Sequence, residues 1–211
     1  IVLRAKSSSA TAMITIRSDA PASGLPVAGV RLVPEGKPGA NTTRTQLVRL
    51  VGRTGTYRAM PVIQAELGAH HYVLRYLDID GVNSEGYYTL IELGKNNSTQ
   101  TLTNAPHHIV LDHVYAHGHP KLGIQRGVAL NGRNIDVVDS YFADFFSLDE
   151  SQAIAGFNGA GPFLIQNNYL EAATENIMFG GADPRIANLV PSDIVIRGNH
   201  IAKKISWRNP V

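Results

Sequence analysis

The chain of 211 residues carries 19 Lys and Arg against 17 Asp and Glu, and it is 44% hydrophobic and 17% charged, with 20 Gly, 11 Pro and no Cys. That hydrophobic fraction is too high for a disordered chain, and a net charge of +2 excludes a nucleic-acid binder that works by bulk charge. Without Cys there are no disulfides, thiolate metal sites or Cys nucleophile, and no apolar run reaches the length of a membrane span.

In chain order, Ile1–Ala5 reads like the inside of a strand, with no start Met and no leader. A processed or partial chain, cut from a longer extracellular or periplasmic protein, is the expectation. Met13–Arg17 reads as a second strand. Residues 20–60 are rich in Pro, Gly, Thr and Arg and are expected to hold one decorated coil and a long loop, so 1–60 is set apart from the regular stretch 61–211.

The main signal beyond residue 60 is an internal repeat. Five segments stack: Tyr72–Ile79, Ile109–Ala116, Asp136–Ala143, Leu164–Glu171 and Val195–Ala202. Each is a short β-rich run, a polar pivot and a second apolar run. The pivots are read as Tyr76, His113, Ser140, Asn168 and Asn199, spaced 37, 27, 28 and 31 residues apart. A second strand family precedes them: Tyr88–Leu93, Arg126–Leu130, Gln152–Phe157 and Glu175–Phe179, each ending in Gly or Asn. Gly and Asn tolerate the left-handed conformation of a sharp corner. The pattern predicts an all-β chain, a right-handed parallel β-helix of about six coils with three strands per coil.

Two details of that fold are expected. Asn168 and Asn199 should form a ladder that is broken at Ser140 and His113. In the second family, Ile91, Val128, Ala155 and Ile177 should point inward with Leu93, Leu130, Phe157 and Phe179. Glu92, Ala129, Gly156 and Met178 should then point outward, with Leu90, Gly127, Ile154 and Asn176. An outward row this small and apolar is a poor catalytic row, so chemistry is expected from loops and strand ends.

Segments such as His108–Tyr115, Asp149–Ala155, Glu175–Asp183 and Asp193–Asn199 resemble right-handed β-helix repeat proteins of the pectate lyase-like superfamily, chiefly bacterial ones. The resemblance covers 106–207 well and 65–93 loosely. It implies a carbohydrate-active protein with a cleft along the first sheet, walled by loops. For a lyase it implies Ca²⁺ held by acidic residues, which neutralises a uronate carboxylate, and an Arg or Lys base that takes the C5 proton. The partner implied is an acidic polysaccharide or glycan.

Three loops are expected to stack at one corner: 117–126, 144–152 and 171–176. They would bring the candidate bases Arg126 and Lys121 together with the oxygen ligands Asp144, Asp149, Glu150 and Glu175. His117, His119, Gln152 and Asn176 would contact substrate. His70-His71 and His107-His108 each stand at the start of a strand and are read as residues that open a coil, and His113 as a pivot bonded to backbone. Tyr87, Tyr88 and Trp207 could stack on sugar rings. The alternative to an enzyme is a non-catalytic extracellular solenoid that binds glycans or self-associates end to end through exposed strand edges.

Overall fold

The structure is a computed structural model that describes residues 1–52, 60–81, 88–119 and 123–208. The described residues form eighteen strands in three parallel sheets of six. Coil 1 holds β1 (Val2–Leu3), β2 (Ile14–Arg17) and β3 (Val48–Val51), and coil 2 holds β4 (Ile63–Ala65), β5 (His70–Arg75) and β6 (Leu77–Asp80). Coil 3 holds β7 (Thr89–Leu93), β8 (His107–Asp112) and β9 (Tyr115–His117). Coil 4 holds β10 (Arg126–Leu130), β11 (Arg133–Val138) and β12 (Tyr141–Phe145). Coil 5 holds β13 (Gln152–Gly156), β14 (Phe163–Gln166) and β15 (Tyr169–Ala172), and coil 6 holds β16 (Glu175–Phe179), β17 (Ile194–Arg197) and β18 (His200–Ala202). The chain therefore is a right-handed parallel β-helix of six coils with three strands per coil. The first sheet runs β1-β4-β7-β10-β13-β16, and the second and third are built from the middle and last strands of each coil.

Stacking in register explains the core. On the second sheet Leu74, Leu111, Val137, Ile165 and Ile196 align, as do Tyr72, Ile109, Ile135, Phe163 and Ile194. Most of these side chains are fully buried in one continuous cluster. Each buried Leu, Ile or Phe contributes roughly 1.5–3 kcal/mol. The corner after β7 needs Gly94: its φ is +105°, and a Cβ there would sit 2.5 Å from the Asn131 carbonyl oxygen.

The corner between the second and third sheets corrects the pivot alignment. Arg75 pairs with Asp112, Asp112 with Val138, Val138 with Gln166 and Gln166 with Arg197. The next residues, Tyr76, His113, Asp139, Asn167 and Gly198, all have φ between 52° and 66°. Tyr76 and His113 thus belong with Asp139 and Asn167, one residue before Ser140, Asn168 and Asn199. The ladder itself is present. The Asn168 backbone N–H donates to Asn199 Oδ1 at 2.8 Å, and the Ser140 N–H to Asn168 Oδ1 at 2.9 Å. Ser140 continues the ladder rather than breaking it, because its Oγ accepts from the Val114 N–H at 2.9 Å. The ladder ends at Val114, which offers no side-chain oxygen.

The segment between β2 and β3 lies over the outer face of the third sheet. Leu25, Leu32 and Leu47 pack on Tyr76, Tyr115, Tyr141 and Ala143 in a second buried cluster. Its backbone is tied down as well. The Leu32 N–H donates to the Asp139 carbonyl at 2.9 Å, and the Gly29 N–H to Asp139 Oδ2 at 2.7 Å. His113 Nε2 donates to the Val30 carbonyl at 2.9 Å, as the pivot reading expected of a backbone-bonded His.

Candidate functional site

The outer face of the first sheet carries a cavity of about 480 Å³. Arg126, the first residue of β10, lies in it with Tyr88, Glu92, Ala129, Glu150 and Phe157. Arg126 is in register with Thr89 on one side and Gln152 on the other, and Gln152 with Glu175. These neighbours follow one another at about 4.8 Å, the spacing of parallel strands.

The Arg126 guanidinium lies 4.5 Å from the Tyr88 ring and 4.8 Å from the Phe157 ring. Such cation–π contacts hold the planar fork in one orientation. One Nη donates to Glu150 Oε1 at 2.6 Å, and Gln125 Nε2 donates to the same oxygen at 3.0 Å. The Arg126 side chain is 4% exposed, yet its Nε has no hydrogen-bond partner among the described residues. A buried donor left unbonded costs about 1–3 kcal/mol, so the arrangement is unfinished as it stands. Tyr88, by contrast, is 59% exposed and forms the mouth of the cleft.

Several residues singled out in the sequence meet here. Arg126 and Glu150 form an ion pair, and Gln152 and Glu175 continue the same column, Gln152 Nε2 donating to Glu175 Oε2 at 2.8 Å. The Gln152 bond holds the Glu175 carboxyl below its ordinary pKa, against burial. Gln152 is fully buried, and its Oε1 has no hydrogen-bond partner among the described residues. Lys121 lies outside the described residues, as does Tyr87.

The other candidates sit elsewhere. His117, at the end of β9, is buried; its Nε2 donates to Asp78 Oδ1 at 2.9 Å, and its ring stacks on Tyr115 at 4.2 Å. In-register stacking sets it against the carboxylates of the preceding coil, not against the acids of the next. His119 is half-buried beyond the strand end. Asp144, with φ 64° at an irregularity of β12, pairs with Lys204 and faces Lys37 at 3.8 Å. Glu171 accepts from the Asp144 N–H at 3.2 Å and from the Tyr169 hydroxyl at 2.9 Å, and burial pushes its pKa up. Asp149 is exposed. Both ends of the Asn176 amide are bonded to main chain, accepting from the Ala172 N–H at 2.7 Å and donating to the Ala202 carbonyl at 3.1 Å. Among the described residues, metal-ligating atoms within 4.8 Å of one another occur at His70, His71 and His107 and at Asp112, His113 and Asp139; Asp144, Asp149, Glu150 and Glu175 form no such group.

Phe157 was expected to point inward and instead covers Arg126. The strand lies one residue out of phase with the sequence alignment: Ile154, not Ala155, aligns with Val128 and Ile177. Ala153 and Ala155 flank Ile154, and their small side chains leave the period-2 pattern ambiguous. Once Phe157 is moved to the outer face, the aromatic–Arg–aromatic sandwich is complete.

No family model matches the chain, and no curated protein or solved structure matches it. Among the described residues no helix is long and apolar enough to cross a membrane.

Proposed function

We propose that this β-solenoid is a carbohydrate-active protein whose first-sheet cleft takes an acidic polysaccharide, with Arg126 as the receptor for a uronate carboxylate. The observation that carries this reading is the Arg126 guanidinium, fixed between Tyr88 and Phe157 and buried at the wall of an open cavity, its Nε without a partner among the described residues. Arginine keeps its charge across the accessible pH range and matches a carboxylate with a planar fork. A uronate oxygen would complete its bonding. Tyr88 offers the adjoining sugar an exposed ring face, and Glu92 and Asn96 supply polar atoms for hydroxyls.

The same pair of charges supports an elimination reading as the second step. Neutralising the carboxylate makes the C5 proton acidic. A carboxylate beside the cation, Glu150 or Glu92, would accept that proton as the C4–O bond breaks, and the departing oxygen would be protonated by water. This reading does not draw on Ca²⁺.

The test is a panel of oligosaccharides from pectin, alginate and glycosaminoglycans, with neutral glucans as controls. Binding is followed by calorimetry and elimination by the absorbance of unsaturated uronate. Binding of at least one acidic saccharide, weakened tenfold or more in Arg126→Ala, is the expected result. Absence of binding across the acidic panel would overturn the proposal, as would binding indifferent to Arg126.

A further inference from the structure

A second constellation lies away from this cleft, at the start of the second sheet. His70 and His107 are in register on β5 and β8. Each is followed by a His in the left-handed region, His71 at φ 58° and His108 at φ 52°. That backbone turn folds each second ring back against the first. Nδ1 of His70 lies 2.7 Å from Nδ1 of His71, and Nδ1 of His107 lies 2.6 Å from Nδ1 of His108. The two coils then stack ring on ring: His70 on His107 at 4.7 Å with planes 2° apart, His71 on His108 at 4.6 Å with planes 4° apart. Four imidazoles make a box with their Nδ1 atoms turned inward pair by pair.

A residue with φ near +55° that is not Gly is strained when held there. The same corner uses Asn in the next coil, at Asn134 with φ 50°. The next coil carries Arg133 in register with His107, followed by Asn134, at the two positions where the coils before it carry His-His.

We propose that this box is a binding site for a late first-row divalent cation of the Zn²⁺, Ni²⁺ or Cu²⁺ class, ligated by His70, His71 and His107 with His108 as the fourth ring. One ligand atom from each of the first three lies within 4.8 Å of the others. The hydrogen bonding favours the required tautomer. His70 Nε2 faces the Ser7 carbonyl at 3.2 Å, which only an N–H can satisfy, so its Nδ1 carries a lone pair. A carbonyl behind a ring nitrogen is the usual outer support of a metal-bound His. In the metal-free box the neighbouring Nδ1–H donates to that lone pair. On binding, that proton moves to the outer nitrogen of its own ring through solvent, and Nδ1 turns to the cation. Tetrahedral Zn–N bonds of about 2.0–2.1 Å place the nitrogens roughly 3.3–3.4 Å apart, so the paired nitrogens must separate by about 0.6–0.8 Å and the stacked rings must tilt toward one another across the two coils; His70 is buried, His71 and His107 are half-buried and His108 is exposed. Imidazole suits this class of ions, whereas Ca²⁺ and Mg²⁺ want oxygen. Two cations flank the box: Lys6 Nζ donates to the His71 carbonyl at 3.1 Å, and Arg133 is in register with His107.

The experiment is calorimetric titration of the whole chain with Zn²⁺. One equivalent is expected to bind, with a rise in the unfolding midpoint. His70→Gln and His107→Gln should each weaken binding tenfold or more. His200→Gln, on the last strand, should leave it unchanged. No stoichiometric binding would overturn the site, as would binding that persists in the His70→Gln, His107→Gln double variant or falls equally in His200→Gln. Should a variant fail to fold, Co²⁺ titration of the unaltered chain decides the matter. Intense visible bands of a four-coordinate nitrogen site are expected, and the weak bands of a six-coordinate ion would overturn it.

Discussion

The outer faces of the first and third sheets carry the same kind of material and treat it in opposite ways. On the third sheet Tyr115 and Tyr141, with Tyr76 at the corner that leads into it, are roofed by Leu25, Leu32 and Leu47. Their polar groups are closed off too: the Tyr76 hydroxyl donates to the Pro26 carbonyl at 2.8 Å, and Arg31 Nε to the Asn167 carbonyl at 2.9 Å. On the first sheet Tyr88 and Phe157 hold Arg126 beside an open cavity, and one donor of that arginine has no partner among the described residues. A covered and satisfied aromatic face is architecture. An open face with a fixed, unfinished cation is where a ligand gains free energy. The difference follows the segment between β2 and β3: Leu25, Leu32 and Leu47 lie over the third sheet, and none of the three lines the first-sheet cavity.

The sharpest way to break the contrast is to remove the roof. Leu32 is fully buried in it. Leu32→Ala should lower the stability to denaturant by about 2–5 kcal/mol, while saccharide affinity stays as in the parent. A loss of affinity equal to that of Arg126→Ala would mean the two faces are coupled. Next in size is Arg126→Ala itself. A charge-assisted hydrogen bond is worth about 1.5–3 kcal/mol, so affinity for an acidic saccharide should fall roughly ten- to hundredfold. Arg126→Lys should recover only part of it, because lysine lacks the fork that Tyr88 and Phe157 hold flat.

A smaller effect is expected at the corner ladder. Asn168→Ala leaves the Ser140 N–H without its acceptor and removes the bond from Asn168 Nδ2 to the Val137 carbonyl at 2.8 Å. The cost should be about 1–3 kcal/mol, read by chemical denaturation, with no change in saccharide affinity.

The smallest prediction concerns pH and the roof. Burial alone would lower the His113 pKa, but the Asp112 hydrogen bond and charge outweigh it and raise it above 6.5; the Val30 carbonyl and the Asp139 charge add to this. Arg75 also bonds Asp112, Nε donating at 2.7 Å. A raised folded-state pKa means stability that is fully present below about pH 6.5 and is lost as pH rises through the raised value. Denaturation midpoints measured across that range should fall with rising pH in the parent chain and stay flatter in His113→Gln. A midpoint that rises over the same interval would contradict the assignment.

Much of the fold was legible because the coils beyond residue 60 repeat short strands at a steady spacing, the first-sheet strands ending in Gly or Asn. The strand families, their order and the six coils follow from that period. What the pattern left ambiguous was phase. The left-handed residue at the second corner is Tyr, His, Asp, Asn or Gly from coil to coil, so no residue type marks it, and Tyr76 and His113 slipped by one against Ser140. The same slip at Ala153–Ala155 hid Phe157 from the cleft. Arg126 and Glu150 were legible as partners because loops that leave successive coils stack. Asp144 was drawn off by Lys204 and Lys37, both remote in sequence from the stacked loops. The roof was not legible at all, since Leu25, Leu32 and Leu47 stand in a Pro- and Gly-rich segment without periodicity.

The account rests on a cleft that reads negative charge through Arg126. The most direct measurement compares one bound oligouronate with the same oligosaccharide after its carboxylates are reduced to alcohols, titrated into the parent chain and into Arg126→Ala. The parent should prefer the charged ligand by tenfold or more, and Arg126→Ala should bind both alike and weakly. An equal preference for the charged ligand in both proteins would contradict the account.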